Sequence, residues 1–141
     1  MNNKMKLIFS SKSENESFAR NVISCFALSL NPSLAELSEI KTAVSEAVTN
    51  AIVHAYSYGS GEIVMEAEII DRTIHINIFD NGKGIENITK ALEPFYTTNA
   101  EDERSGMGFT IMQSFMDKVI VKSNVGKGTS VYMTKIIKQD A

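Results

Sequence analysis

The sequence predicts a two-layer α/β (α+β) sandwich, in which helices cover one face of a mixed, mostly antiparallel β-sheet. Two long segments early in the chain, 14–30 and 34–56, carry apolar residues at helical spacing. Two later segments, Glu62–Ile70 and Thr73–Asp80, are joined by only two residues and predict a pair of strands. We expect residues 1–141 to form a single domain with its own hydrophobic core.

The composition is that of an ordinary globular protein. Apolar residues make up 43% and charged residues 22% of the chain, and the net charge is -3. This mild acidity disfavours a general binder of nucleic acid or membrane surfaces. The sequence shows neither a signal peptide nor a long apolar segment, so we expect a cytoplasmic protein. Cys25 is the single cysteine and is predicted to be a core thiol.

The first elements are a short strand and a helix. The strand is predicted at Met5–Phe9, and Ser13 with Glu16 matches a capping box that opens a helix to about Leu30. The buried face of this helix is predicted to consist of Phe18, Val22, Cys25, Phe26 and Leu30. Arg20 is expected on the opposite, exposed face. It is either half of a surface ion pair with Glu16 or a contact for an acidic patch on a partner.

A long second helix is predicted from the next capping-box pattern. Asn31-Pro32 ends the first helix, and Ser33 with Glu36 opens the second, which continues to about Tyr56.

The second helix carries an unusual polar stripe. Glu46 and Asn50 are four residues apart and therefore lie on one helix face, beside the apolar stripe, with His54 one turn later. Buried polar groups need hydrogen-bond partners. The pair therefore predicts a ligand at this face, and His54 is most simply a helix-end histidine that the backbone satisfies.

The strand Thr73–Asp80 predicts where a carboxylate is buried. Ile74, Ile76 and Ile78 share one face, which should be the face that the helices cover. Asp80 has the same parity, so we expect it to point inward at the strand end, beneath the helix layer.

The last part of the chain predicts two more strands and one more helix. Thr129, at the start of the last strand, is expected to face inward. The predicted elements are a short helix at Asn87–Glu93, a mobile loop at Phe95–Ser105, a helix from Gly106 to about Met116, and strands at Val119–Lys122 and Thr129–Ile137.

Glycine pairs flank these elements at points where a backbone can approach an anion. Gly82 and Gly84 follow Asp80, and Gly106 and Gly108 open a helix, whose N-terminal N–H groups favour anions. Each pair alone is weak evidence. The sequence contains no P-loop, and residue 111 is isoleucine, so the dinucleotide fingerprint fails as well.

Four motifs together carry a family resemblance. They resemble the ATP site of the gyrase, Hsp90, histidine kinase and MutL superfamily, in the family's order, from about residue 40 to the end. The resemblance implies a Bergerat-type ATP-binding fold with ATP and Mg²⁺ as cofactors. The motifs are Glu46-x-x-x-Asn50, Asp80-x-Gly82-x-Gly84, Gly106-x-Gly108 and Gly126-x-Gly128-Thr129.

At the ends of the site that would bind the metal and the adenine base, the resemblance implies a role for each matching residue. Asn50 would hold Mg²⁺ through its carbonyl oxygen. Asp80 would accept a hydrogen bond from the adenine amino group and so favour adenine over guanine. Gly82 and Gly84 would leave room beside the base, and Thr129 would support it from the last strand.

At the phosphate end, the resemblance implies contacts from the backbone and a lid. Gly106, Met107 and Gly108 would offer N–H groups to the phosphates, and Phe95–Ser105 would be the lid. Arg104, within the lid, is either a partner for the γ-phosphate or a solvated surface residue.

Glu46 decides the subclass within this superfamily. A glutamate near this position activates water in the ATPases and takes a proton from a protein hydroxyl in the serine kinases. Histidine kinases use a separate helical domain, for which these 141 residues are expected to leave no room. His75 is expected to face away from the inward strand face.

Three segments resemble the bacterial anti-sigma factor serine kinases. They are SENESFAR at 13–20, VSEAVTNAIVHAY at 44–56 and RSGMGFTIM at 104–112. The resemblance implies a sporulation sigma factor that is held inactive, a small anti-anti-sigma protein that is phosphorylated on serine, and a homodimer. A stand-alone ATPase and a nucleotide-gated binding module without phosphotransfer remain as alternatives.

Overall fold

The computed structural model describes residues 2–57, 59–85, 92 and 108–138. Its five strands form one sheet of order β1-β2-β3-β5-β4, and every pairing among these strands is antiparallel. The described elements are β1 (Asn2–Ser10), α1 (Glu14–Ala27), α2 (Leu34–Asn50), β2 (Glu62–Ile70), β3 (Thr73–Asp80), α3 (Gly108–Phe115), β4 (Lys118–Asn124) and β5 (Gly128–Ile136).

The predicted sandwich is confirmed. Strands β2 and β3 begin and end at the predicted residues, and the alternation of β3 places Ile74, Ile76 and Ile78 in the core. Asp80 is also buried, at 8% exposure, as its parity predicts. No parallel pairing occurs among the five described strands, so this part of the sheet is antiparallel rather than mixed.

The two predicted capping boxes have different outcomes. At the start of α2, the Glu36 N–H donates to Ser33 Oγ at 3.0 Å and the Ser33 N–H donates to Glu36 Oε1 at 2.9 Å, which confirms the second box. The first box is wrong, because the Ser13 side chain makes no capping hydrogen bond. A capping residue needs extended backbone, whereas Ser13 is already helical, with φ of -55° and ψ of -38°.

The buried face of α1 is rotated from the predicted one. Phe18 is 48% exposed, and Cys25 is an exposed free thiol rather than a core one. Val22 and Phe26 are only partly buried, and Leu30 alone of the predicted set is fully buried. The buried stripe is Ala19, Ile23, Ala27 and Leu30.

Small side chains explain this rotation. Ala19 and Ala27 have no exposed surface and lie one turn on either side of Ile23, on the helix that packs against α2. Alanine allows two helices to approach closely, and close packing outweighs the larger apolar area of Phe18. Arg20 lies beside this stripe, with its side chain 39% exposed and Nε 3.3 Å from Glu16 Oε2, which confirms the predicted ion pair.

The second helix continues beyond α2 in a different form. A π-helical turn covers Ala51–Ala55, and the helical path ends at Tyr56, as predicted. The Tyr56 hydroxyl donates to the Glu62 carbonyl at 2.7 Å and accepts from the Asn81 N–H at 2.8 Å. The Lys83 N–H donates to the Ala55 carbonyl at 3.1 Å. These bonds fix the loop after β3 against the end of the helix.

The remaining predictions have mixed outcomes. The helix from Gly106 is observed from Gly108, and both last strands are present. Apart from Leu92, the short helix at Asn87–Glu93 lies outside the described residues, as does the loop Phe95–Ser105. In the described part of the chain, no helix is both long enough and apolar enough to cross a membrane.

We predict that Ile23→Ala lowers the free energy of unfolding by about 2–4 kcal/mol, because it leaves a cavity in a packed interface. Phe18→Ala on the same helix is the control and should cost clearly less, since half of that ring is already in water. Urea unfolding of both variants measures this. An equal or larger loss for Phe18→Ala would contradict the observed face of α1.

Candidate functional site

The first part of the site is the contact between α2 and the beginning of α3. Gly108 opens α3 so close to α2 that a Cβ atom there would lie 3.2 Å from Glu46 Oε2 and 3.2 Å from Asn50 Nδ2. The same atom would lie 3.3 Å from Asn50 Oδ1. Glu46 and Asn50 therefore share one face of α2, as predicted, and that face meets a helix N-terminus. Unpaired N–H groups at such an end favour an anion.

The donor atoms at this contact fit a magnesium ion. Mg²⁺ prefers hard oxygen ligands and takes only one or two from the protein when phosphates and waters supply the others. The Asn50 carbonyl offers such an oxygen. Among the described residues, no group of three or more His, Cys, Asp or Glu side chains is placed to hold a metal.

The second part of the site surrounds Asp80. Its Oδ1 accepts hydrogen bonds from the Gly82 N–H at 2.8 Å and from the Thr129 N–H at 3.3 Å. Burial raises the pKa of the Asp80 carboxyl above its ordinary value, and these two N–H groups offset part of the effect. Asp80 is therefore a fixed acceptor at the ends of β3 and β5.

The glycines of the loop after β3 are required by close backbone contacts. A side chain at Gly82 would collide with the Ala55 backbone, and one at Gly84 would collide with the Asn124 carbonyl. Gly84 also has a φ of +78°, which disfavours other residues. These contacts hold the loop between the π-helical turn and the β4–β5 hairpin.

Two residues of the site region were missed by the sequence reasoning. Tyr56 connects the helix end to Asn81, and Ser123 connects the loop to Thr129. The signal for Ser123 is the register of the last hairpin, which pairs it directly with Thr129. That register cannot be assigned from the turn glycines alone.

The structure describes only some of the predicted site residues. It brings Glu46, Asn50 and Gly108 into one group, and Asp80, Gly82 and Thr129 into another. Arg20 lies apart in the sequence on α1, where it pairs with Glu16. Gly84 lies in the loop after β3, against the Asn124 carbonyl, whereas Arg104, Gly106 and Met107 lie outside the described part of the chain.

A cavity of about 450 Å³ lies on the other face of the sheet. Its lining includes Glu66, Asn77 and Ser130, which alternate with the helix-facing residues of their strands. It shares Asp80 and Thr129 with the candidate site, because these residues lie at the strand ends, and Ser123 lines it as well. The cavity is thus separate from the face that carries Glu46 and Asn50.

Comparison with protein families assigns the class of this fold and site. Residues 9–135 match the family described as the histidine kinase-like ATPase domain. The chain belongs to this family. Within the family it belongs to the anti-sigma F factors, because relatives more than half identical to it over nearly its full length carry that name.

Three of these relatives are named anti-sigma F factor. The protein of Caldanaerobacter subterraneus subsp. tengcongensis is 57% identical, and the match covers 96% of this chain and 95% of the relative. The protein of Clostridium acetobutylicum is 54% identical, with 96% and 94% covered. That of Geobacillus stearothermophilus is also 54% identical, with 96% and 93% covered.

Solved structures support the fold. The RsbU and RsbW domains of Rv1364c from Mycobacterium tuberculosis match with a TM-score of 0.71 at 15% identity, over 99% of this chain and 33% of that one. The catalytic domain of the histidine kinase ThkA matches with a TM-score of 0.59 at 16% identity, over 94% and 96%. At these identities the likeness concerns the fold alone.

We predict that Asp80→Asn does not destabilise the ligand-free protein at neutral pH. Because the pKa of Asp80 is raised, the ionised carboxyl disfavours the folded state. The contribution of Asp80 to the free energy of unfolding therefore falls as the pH rises from the ordinary pKa through the raised one. Asparagine keeps the accepting oxygen but has no charge. Urea unfolding between pH 4 and pH 8 checks this, the range being roughly that where carboxyl groups titrate.

The result is read from the difference in the free energy of unfolding between Asp80→Asn and the wild type. Asp80→Asn should gain stability relative to the wild type as pH rises through that range. A relative loss with rising pH would mean that the ionised carboxylate stabilises the fold.

Proposed function

We propose that this chain is an anti-sigma factor and a protein serine kinase. It binds and inhibits a sporulation sigma factor of the sigma F type, and it phosphorylates an anti-anti-sigma protein on serine with Mg-ATP. Membership of the anti-sigma F factors supports the first activity, and the histidine kinase-like domain supports the use of ATP. The observation that carries the kinase activity is the approach of Gly108 to both Glu46 and Asn50.

The phosphates are proposed to bind at the N-terminal end of α3. The Asn50 carbonyl oxygen would hold Mg²⁺, and the ion would neutralise charge on the phosphate oxygens. The N–H groups of Gly106, Met107 and Gly108 contact the phosphates. Phe95–Ser105 is the proposed lid over them, and Arg104 is the proposed partner of the γ-phosphate.

Glu46 is the proposed general base. A serine hydroxyl is a weak nucleophile until a base accepts its proton. In the transfer, a bond forms between the serine oxygen and the γ-phosphorus, and the bond from that phosphorus to the β–γ bridging oxygen breaks. The serine proton goes to Glu46, and ADP leaves. The Glu46 carboxylate lies on the same face of α2 as Asn50, which supports a base beside the proposed metal ligand.

Asp80 is proposed to recognise the adenine base of ATP. The N–H groups of Gly82 and Thr129 hold Oδ1 of this carboxylate in place. The carboxylate can still accept a hydrogen bond from the amino group of adenine. Gly82 and Gly84 keep the loop close to this position. Thr129 completes the base end of the site from β5.

We also propose how the chain is assembled and where it acts. It forms a single domain, and two copies form a homodimer. The homodimer acts in the cytoplasm, where transcription proteins are found. Arg20 is proposed to contact an acidic patch on a partner, because its side chain stays 39% exposed even though it pairs with Glu16. Neither nucleic acid nor membrane is proposed as a direct ligand.

We predict that Glu46→Gln lowers the rate of phosphotransfer by about a hundred-fold to ten-thousand-fold, the usual value of general-base help. Glutamine keeps the shape of the side chain but cannot accept the proton. Binding of Mg-ATP should stay near the wild-type level. Single-turnover assays with labelled ATP and the anti-anti-sigma protein measure the transfer, and calorimetry measures the binding.

The control is Glu68→Gln, the same substitution at an exposed residue of β2, which should transfer at the normal rate. The labelled product should be stable in acid, as phosphoserine is. Normal transfer by Glu46→Gln would remove Glu46 as the base. An acid-labile product would indicate phosphohistidine, and release of free phosphate alone would indicate an ATPase.

A further inference from the structure

Ser123 holds three polar partners beside the proposed base end of the site. Its Oγ accepts the Ile85 N–H at 2.7 Å and lies 3.0 Å from the Gly128 carbonyl oxygen. It also lies 2.8 Å from Thr129 Oγ1. Ser123 and Thr129 are direct neighbours across the β4–β5 pair, and both are partly buried.

The hydrogen count of these groups fixes the direction of each bond. A serine hydroxyl has one hydrogen to donate and two lone pairs that accept. The Ile85 amide can only donate, so it uses one lone pair of Ser123. The Gly128 carbonyl can only accept, so it takes the single Ser123 hydrogen. The third contact therefore requires that Thr129 donates its own hydrogen to Ser123.

This arrangement determines what Thr129 can offer to a ligand. Once its hydroxyl hydrogen is bonded to Ser123, the oxygen of Thr129 can only accept. The neighbouring Asp80 is held by the Thr129 N–H and is also an acceptor. Two fixed acceptors favour a donor such as an exocyclic amino group and disfavour a carbonyl at the same position.

We propose that Ser123 is a positioning residue that sets base specificity by fixing the Thr129 hydroxyl as an acceptor. This inference rests on the proposed binding of adenine at Asp80. Without Ser123, the Thr129 hydroxyl is free to rotate and donate its hydrogen to a carbonyl. The preference of the site for adenine then depends on Ser123, which acts through Thr129.

Ser123→Ala tests this with ATP and ITP, because hypoxanthine replaces the amino group of adenine by a carbonyl. We expect the ratio of ATP to ITP affinity, measured by calorimetry, to fall by roughly five-fold to ten-fold, the worth of about one hydrogen bond. Ser123→Thr keeps the hydroxyl and should keep the wild-type ratio. Ser29→Ala, a serine on the exposed surface after α1, is the control.

The outcomes separate this inference from the proposed function. A wild type that binds ATP and ITP equally would overturn the adenine assignment and the inference with it. A selective wild type whose ratio is unchanged in Ser123→Ala, or is lost in Ser123→Thr, would overturn the inference alone. If the alanine variant does not fold, Ser123→Cys replaces it, since a thiol is a weak donor and acceptor and should shift the ratio in the same direction.

Discussion

The structure depends on one close approach, that of α3 to α2 at residue 108. A Cβ atom there would lie 3.2–3.3 Å from polar side-chain atoms of Glu46 and Asn50, so those side chains would have to shift to make room for it. This contact brings a carboxylate, a carboxamide and a helix N-terminus together. Without it, the polar pair on α2 would be two partly buried groups with no evident chemical purpose. The proposed site for metal and phosphates thus depends on how closely α3 approaches α2 at residue 108.

The base end of the site is built by hydrogen bonds that join distant parts of the chain. Asp80 ends β3, and two backbone N–H groups from the loop and from β5 hold it. Ser123 joins the same loop to β4, and Tyr56 joins it to the helix end. Because burial raises the pKa of the Asp80 carboxyl, its ionised form disfavours the folded state, and residues kept at such a cost are typical of functional sites.

Much of the fold could be predicted because local patterns decide it. Strand alternation gives the ends of β2 and β3 and the inward direction of Asp80. The buried face of α1 could not be predicted, because it depends on how closely Ala19 and Ala27 pack against α2. The role of Ser123 depends on strand register, which is a long-range property. The polar pair on α2 was predictable from spacing, whereas its contact with Gly108 is tertiary.

The most direct test is the binding of Mg-ATP to the wild type and to Gly108→Ala. An added methyl group would force Glu46 and Asn50 to shift, while alanine in a helix is at least as stable as glycine. The account predicts an unchanged or higher melting temperature and an affinity for Mg-ATP that is lower by about ten-fold or more, a loss of at least about 1.4 kcal/mol. Unchanged affinity in a folded variant would contradict the placement of the nucleotide at this contact.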